Sequence, residues 1–233
     1  MLPGGTHRST RLEAFSDAAF AFALTLLVVS LDVPRSYDEL QDLLLGFPSF
    51  GCCFALLCWI WWEHASFFQR YPLQDPVTVV INSLLLFVVL FYVYPLKFMF
   101  DSMFAMMLPE PKAIRPVQRM EFWQLGNASA VYALGFLVLF LVFALLSHRA
   151  YRKRDELGLE PLDVFDLRSS IGHHLVSASV GALAMIYALA APLAVVFVSP
   201  MLFGLMGPAH VWWGRRRTAL RRALAEPVEQ ATG

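Results

Sequence analysis

The chain has 233 residues, 58% of them apolar and 15% charged, with 18 basic side chains against 18 acidic ones and a formal net charge of zero. The apolar residues come in long unbroken blocks rather than in the interrupted stripes of a soluble core, which excludes a soluble globular protein, and the connections left over are too short for a soluble catalytic domain. The balanced charge itself identifies no partner.

A helix needs about 20 apolar residues to cross about 30 Å of hydrocarbon. Six stretches qualify, roughly 12–33, 48–69, 77–98, 125–147, 171–190 and 193–213. They predict an all-α integral membrane protein in which residues 1–233 form a single six-helix transmembrane domain.

The first span opens with Arg11-Leu-Glu-Ala-Phe15-Ser16-Asp17 and runs apolar to Asp32-Val-Pro34, where Pro34 stops the helix. Its apolar run is too long for a secretory signal, and five more spans follow. A carboxylate inside a lipid-spanning helix is unfavourable by roughly 2.5 kcal/mol or more at the centre and by less near the end, so Asp17 calls for a partner or a purpose. Residues Arg35 to Asp42 read as a short polar outer loop with at most one amphipathic turn.

The second span holds all three cysteines, Cys52, Cys53 and Cys58, whose spacing matches no metal or redox motif, and they read as apolar filler. Its inner end is aromatic (Trp59, Trp61, Trp62, Phe67, Phe68), as suits the headgroup belt. Arg70 to Pro76 forms a tight inner connection to span 3, which carries Asn82 near its inner end and reaches the outer interface at Tyr92, Tyr94 and Pro95. The longest outer loop, Met99 to Glu121, follows.

Span 4 ends in His148-Arg-Ala-Tyr-Arg-Lys-Arg154, a basic run expected to meet anionic lipid headgroups, and a polar inner loop leads on to Ser170. Spans 5 and 6 read as a hairpin broken at Pro192, with Pro200 inside span 6. Span 5 contains the small-residue patch Ser177-Ala-Ser-Val-Gly181-Ala-Leu-Ala184, which permits close helix approach. The tail from Arg215 to Leu224 is basic and also suits lipid headgroups rather than nucleic acid.

Charge placement orients the whole. With the N-terminus inside, the inner segments hold 13 of the 18 basic residues, and only Arg35, Lys97, Lys112, Arg115 and Arg119 lie outside. Both termini are therefore expected in the cytoplasm of a cell whose plasma membrane the protein spans.

On a helix of 100° per residue, Arg11, Phe15, Ala18, Phe22, Leu26 and Val29 share one line, while Ser16 and Asp17 project more than 90° away from it. Alanines at 14, 18, 19, 21 and 23 let neighbouring helices approach. Trp61, His64 and Asn82 sit at about the depth of Asp17 and offer an indole N–H, an imidazole N–H and a carboxamide to the polar face. That group reads first as a packing network and second as a site handling protons or cations.

The string Arg11-x-x-x-Phe15-Ser16-Asp17, the apolar helix with Thr25-Leu26-Leu27, the stop at Pro34, Trp61-x-x-His64 and Asn82 together resemble the signature of the transmembrane-protein-175 family over residues 8–95. Those are potassium-permeable channels of animal endosomes and lysosomes, with single-repeat homologues in bacteria and archaea. The resemblance implies a homotetramer with the first helix lining a central pore, potassium as the permeant ion and no other cofactor. Phe22, Leu26 and Val29 would be the apolar constriction and Thr25 the hydroxyl layer, while Arg11, Phe15, Ser16, Asp17, Trp61, His64 and Asn82 would form the motif network. Apolar rings of this kind can gate by dewetting. The chain departs from the family at Phe22, where isoleucine or leucine is usual, and at Ala65, where some relatives have a second histidine.

Two other readings compete: a proton-coupled carrier using Asp17 and His64, and a non-conducting membrane scaffold sealed by Phe22. Glu63 beside His64 lacks the H-E-x-x-H spacing, and neither a nucleophile elbow nor a phosphate-cradling glycine loop occurs, so an enzyme is not expected. His173 and His174 point 100° apart and cannot readily share a metal; with His210 they read as interfacial, His148 as solvated.

Overall fold

The computed structural model describes residues 10–107, 122–190 and 201–218, and all regular secondary structure among them is helical. Helix α1, Arg11–Val29, begins at a capping box: the Glu13 amide donates to Thr10 Oγ1 at 3.2 Å and the Thr10 amide to Glu13 Oε2 at 2.7 Å. It ends four residues short of the expected 33, because Ser30 turns its hydroxyl onto the Leu27 carbonyl at 2.6 Å and the residue before Pro34 disfavours helix.

Helix α2 is longer than expected, Tyr37–Arg70. Most of the polar segment from Arg35 to Asp42 is thus its first turn and a half rather than a loop. Ser36 caps it by accepting from the Glu39 amide at 3.2 Å, and Glu39 reaches back to the Arg35 amide at 2.6 Å. These two bonds satisfy amides that a loop would leave to water.

Helix α3, Pro76–Met107, starts with proline at its first position and passes through Pro95, nine residues beyond the expected end at 98. Lys97 pairs with Asp101 one turn later at 2.8 Å, and Asp101 also accepts from Ser49 of α2 at 2.5 Å, so the extension is held by side chains the hydropathy pattern does not register. The expected outer loop from Met99 is therefore helical to 107, and the rest of it lies outside the described residues.

Helix α4 spans Phe122–Arg152 and helix α5 Pro161–Ala190. The inner loop expected to last until Ser170 is only a turn over 153–158 and two further residues. It closes on Gly158, whose φ of +59° is left-handed: the Gly158 amide bonds to the Asp155 carbonyl and the Leu159 amide to the Arg154 carbonyl, a Schellman closure. A 3₁₀ turn at 201–205 leads into α6, residues 206–218. The first part of the expected sixth span, with Pro192 and Pro200, the tail beyond 218 and residues 1–9 lie outside the described residues. Among the described residues five helices, α1 to α5, are long and apolar enough to cross a membrane.

The chain divides into two compact units, 1–119 and 120–233. In the first, Phe20, Ala23 and Leu27 of α1 are buried with Leu57 and Ile60 of α2 and Leu85, Val89 and Leu96 of α3. Cys53 is buried in the same core and all three cysteines are free. In the second, α4 and α5 pack through Phe136, Leu139, Phe140 and Leu146 against a face of small residues, Ser177, Ala178, Gly181, Ala184 and Ala188.

At Gly181 the backbone of α5 lies close against that of α4. A Cβ there would meet Phe136 Cδ1 at 3.0 Å and the Leu137 backbone nitrogen at 3.1 Å. Overpacking costs about 1–3 kcal/mol, whereas alanine regains up to about 1 kcal/mol of helix propensity over glycine. Backbone on the far side cannot swing away, so Gly181→Ala is expected to lower stability by about 1 kcal/mol net and Gly181→Leu to prevent the close pairing. Thermal unfolding in detergent checks this; an unchanged midpoint for both variants would contradict the packing.

Candidate functional site

Helix α1 presents two faces of opposite character. Glu13, Ser16, Phe20, Ala23 and Leu27, spaced three and four apart, are buried. The opposite side carries Phe15, Phe22 and Val29, exposed by 62%, 55% and 70%. Arg11, Ala14, Ala18, Ala21 and Thr25 are exposed with them and Leu26 is half-buried. Thr25 keeps its hydroxyl on its own helix, donating to the Ala21 carbonyl at 2.9 Å, so its oxygen retains lone pairs facing outward.

On the buried face the three helices of the first unit are joined by one chain of hydrogen bonds. Ser16 donates to the Leu12 carbonyl at 2.9 Å and so accepts from Asn82 Nδ2, also at 2.9 Å. That leaves Asn82 Oδ1 to accept from His64 Nε2 at 2.7 Å, which assigns the proton of the imidazole to Nε2. The imidazole is packed between Phe20, 5.4 Å between ring centroids, and Phe68, 4.8 Å. Ser16, His64 and Asn82 are all essentially inaccessible to solvent, and one residue from each helix takes part.

Asp17 is not in this chain. It is exposed, and Trp61 Nε1 donates to its Oδ1 at 2.8 Å. The expected single cluster around Asp17 is thus two: a buried relay Ser16–Asn82–His64 and an exposed pair Asp17–Trp61. The 100° between successive residues is the cause, since Ser16 pointing at α3 turns Asp17 away from Asn82. Arg11 and Phe15, grouped with the motif from sequence, lie on the exposed face, and among the described residues no hydrogen bond joins them to either group. Sequence reasoning also missed Phe20 and Phe68, the flanks of His64. Their signal was the spacing of Phe20 four residues after Ser16 and of Phe68 four after His64.

His148 is exposed, whereas His173, His174 and His210 pack among neighbouring side chains. His174 is buried with its ring stacked 5.3 Å from Phe143, and Ser170 lies 3.3 Å from its Nε2. The ring of His173 packs against that of His210 of α6, 4.0 Å between centroids and tilted by 34°, and His210 Nε2 lies 3.1 Å from Ser177. Arg217 donates to Asp166 at 2.8 Å, and Trp213 to the Ser169 carbonyl at 3.2 Å, fastening α6 to α5. Among the described residues, no group of three or more His, Cys, Asp or Glu side chains is arranged to hold a metal ion.

Comparison with known proteins covers nearly the whole chain. A family described as the endosomal/lysosomal potassium channel TMEM175 matches residues 11–92. A potassium channel of Marivirga tractuosa is 35% identical over 232 residues, covering 94% of this chain and 92% of the relative. A potassium channel of Chamaesiphon minutus is 31% identical over 141 residues, covering 57% and 61%. Among solved structures, a variant of the potassium channel MtTMEM175 crystallised with a nanobody–MBP fusion superposes with a TM-score of 0.78 at 33% identity, over 94% of this chain and 99% of that one. A lysosomal potassium-selective TMEM175 homologue from Chamaesiphon minutus shares the fold, with a TM-score of 0.57 at 23% identity over 89% and 96% of the two chains.

Proposed function

The chain belongs to the TMEM175 family of potassium channels, and from that premise we propose that four copies assemble around an axis lined by α1, with Phe22, Leu26 and Val29 as apolar rings and Thr25 as a hydroxyl layer. One helix cannot enclose a pore, and closed cyclic symmetry supplies the other walls. The observation that carries the reading is the outward face of α1: Phe22 and Val29 project from the helix opposite the buried relay, among alanines small enough for copies of the helix to approach. Potassium moves passively along that axis, and the apolar rings set the barrier by excluding water. Both termini face the cytoplasm, and the protein resides in the cell membrane with its basic inner segments against anionic headgroups.

The relay and the Asp17–Trp61 pair then have a mechanical role. They hold α1 at one rotation about its axis so that the Phe22 face meets its copies and the Ser16 face meets α2 and α3. Cross-linking tests the arrangement: in a chain with Cys52, Cys53 and Cys58 replaced by serine, Val29→Cys should form disulfide-linked dimers under mild oxidation, and Leu27→Cys, on the buried face, should not. The reverse pattern would place another face at the axis.

The carrier reading loses ground to the channel family and to the geometry, because Asp17 accepts from an indole rather than from His64. An asparagine oxygen accepts the same N–H, so Asp17→Asn should keep potassium flux into liposomes within about threefold of wild type, the loss of one charge-assisted bond being modest. A proton carrier built on this carboxylate would stop.

A further inference from the structure

At the junction of α4 and α5 two arginines converge on one tyrosine. The guanidinium carbons of Arg154 and Arg168 each lie 4.9 Å from the centroid of the Tyr151 ring. Arg168 Nη2 donates to the Tyr151 hydroxyl, and Arg154 Nη1 to the Tyr151 carbonyl at 3.3 Å. The Schellman closure at Gly158 brings this about, since it folds the chain back so that the second turn of α5 returns to the last turn of α4.

Two guanidiniums at that distance from one ring are separated by no more than about 10 Å, a screening length at ordinary ionic strength. Their repulsion is offset in part by the ring's face. Neighbouring carboxylates contribute little. Asp155 is 85% exposed and sits 3.6 Å from Arg154, Glu156 pairs with Lys153 at 2.8 Å, and Asp166 is bonded to Arg217. Among the described residues Arg168 has no carboxylate partner. Each guanidinium has five N–H donors; Arg168 uses one, Arg154 uses one with a second nitrogen facing the exposed Asp155, and the Tyr151 hydroxyl, accepting from Arg168, keeps its own proton to donate. Donors of this kind, planar and pre-oriented by a ring, match the oxygens of a phosphate.

We propose that Tyr151, Arg154 and Arg168 form a binding site for the phosphate group of an anionic phospholipid. Position selects the lipid over a free anion: Tyr151 lies in the last turn of a helix whose preceding residues are apolar enough to span a membrane, which puts the ring at headgroup level. The site rests on the reading that this end of α4 meets an anionic leaflet, and gives that contact a defined place.

The test uses the full chain purified from membranes into mild detergent with phosphatidylglycerol or phosphatidylcholine supplied, and counts retained lipid by native mass spectrometry. Wild type should retain phosphatidylglycerol over phosphatidylcholine, and the pair R154Q/R168Q should lower that retention about tenfold or more. The pair R152Q/R215Q, which removes the same charge elsewhere, should leave it intact. Arg168→Lys keeps the charge but not the planar fork and should also weaken retention, which keeps the proposal testable if the double variant fails to fold. Equal loss in both double variants would overturn a defined site in favour of diffuse charge. Stabilisation of wild type by inorganic phosphate that R154Q/R168Q abolishes, with lipid retention unchanged, would overturn the lipid as ligand. Potassium flux in phosphatidylcholine liposomes is read separately, so absence of conduction would count against the channel reading and not against this site.

Discussion

Phe22→Ala is expected to raise potassium flux into liposomes about tenfold or more over wild type, with Leu26→Ala giving a smaller rise in the same direction. In the proposed tetramer four phenyl rings meet at one level, and each alanine replaces a ring by a methyl group. The energetic argument is steep, since every 1.4 kcal/mol removed from a permeation barrier multiplies the rate about tenfold. A dewetted apolar constriction is a barrier of this kind. Phe22 is 55% exposed and Leu26 only half-buried, so neither truncation opens a cavity in the first unit, and the variants should assemble like wild type. Flux that is unchanged in Phe22→Ala, with assembly intact, would remove this side chain from the ion path. Absence of potassium flux in wild type and variants alike would remove the pore.

Asn82→Leu is expected to have the largest effect on folding. The carboxamide donates to Ser16 and accepts from His64, so its loss leaves a buried imidazole N–H without an acceptor and a buried hydroxyl oxygen, still donating to Leu12, without its donor. A buried polar group left unsatisfied costs about 1–3 kcal/mol. In membranes the measured worth of a single interhelical bond averages about 0.6 kcal/mol, because the separated helices find other partners. One orphaned imidazole N–H and one lost interhelical bond to Ser16 in a dry interface place the sum at about 2 kcal/mol. The expected result is a lower unfolding temperature together with lowered or erratic flux, since α1 loses the tie that sets its rotation. Ser16→Ala, which removes one bond between helices and the hydroxyl's own bond to Leu12 but leaves Asn82 bound to His64, should cost less. If both variants unfold like wild type, shape alone holds these helices together and the relay is incidental.

Hydropathy made the layout of helices legible because long apolar runs admit few alternatives. What it misjudged were polar segments that are helical. Ser36 to Asp42 and residues 161–170 look like loops by composition, yet both are the opening turns of long helices, started by Ser36 with Glu39 and by Pro161. Capping bonds are local and were readable from Ser36-x-x-Glu39, but a span search that scores only apolarity cannot see them. At the site, spacing alone separated the Phe22 line from the Ser16 and Asp17 face and nominated Trp61, His64 and Asn82. It could not distribute those partners, because which donor meets which acceptor depends on how α2 and α3 rotate against α1.

The amino-acid sequence by itself determined that this chain spans a membrane as a helical bundle, carries the Phe15-Ser16-Asp17 motif near the start of its first helix, and belongs with potassium channels. Periodicity and composition act along one chain and suffice for the helical span, whereas the channel family rests on the resemblance of the motif and on the relatives that share it. Only the tertiary structure decided that Ser16, and not Asp17, is the buried member of the motif. It also decided that Asn82 stands between Ser16 and His64, and that Arg154 and Arg168 share one aromatic ring. Each depends on a contact between residues 17 to 66 positions apart in the chain. Such contacts form only when packing sets the rotation of each helix, a quantity that no single helix encodes.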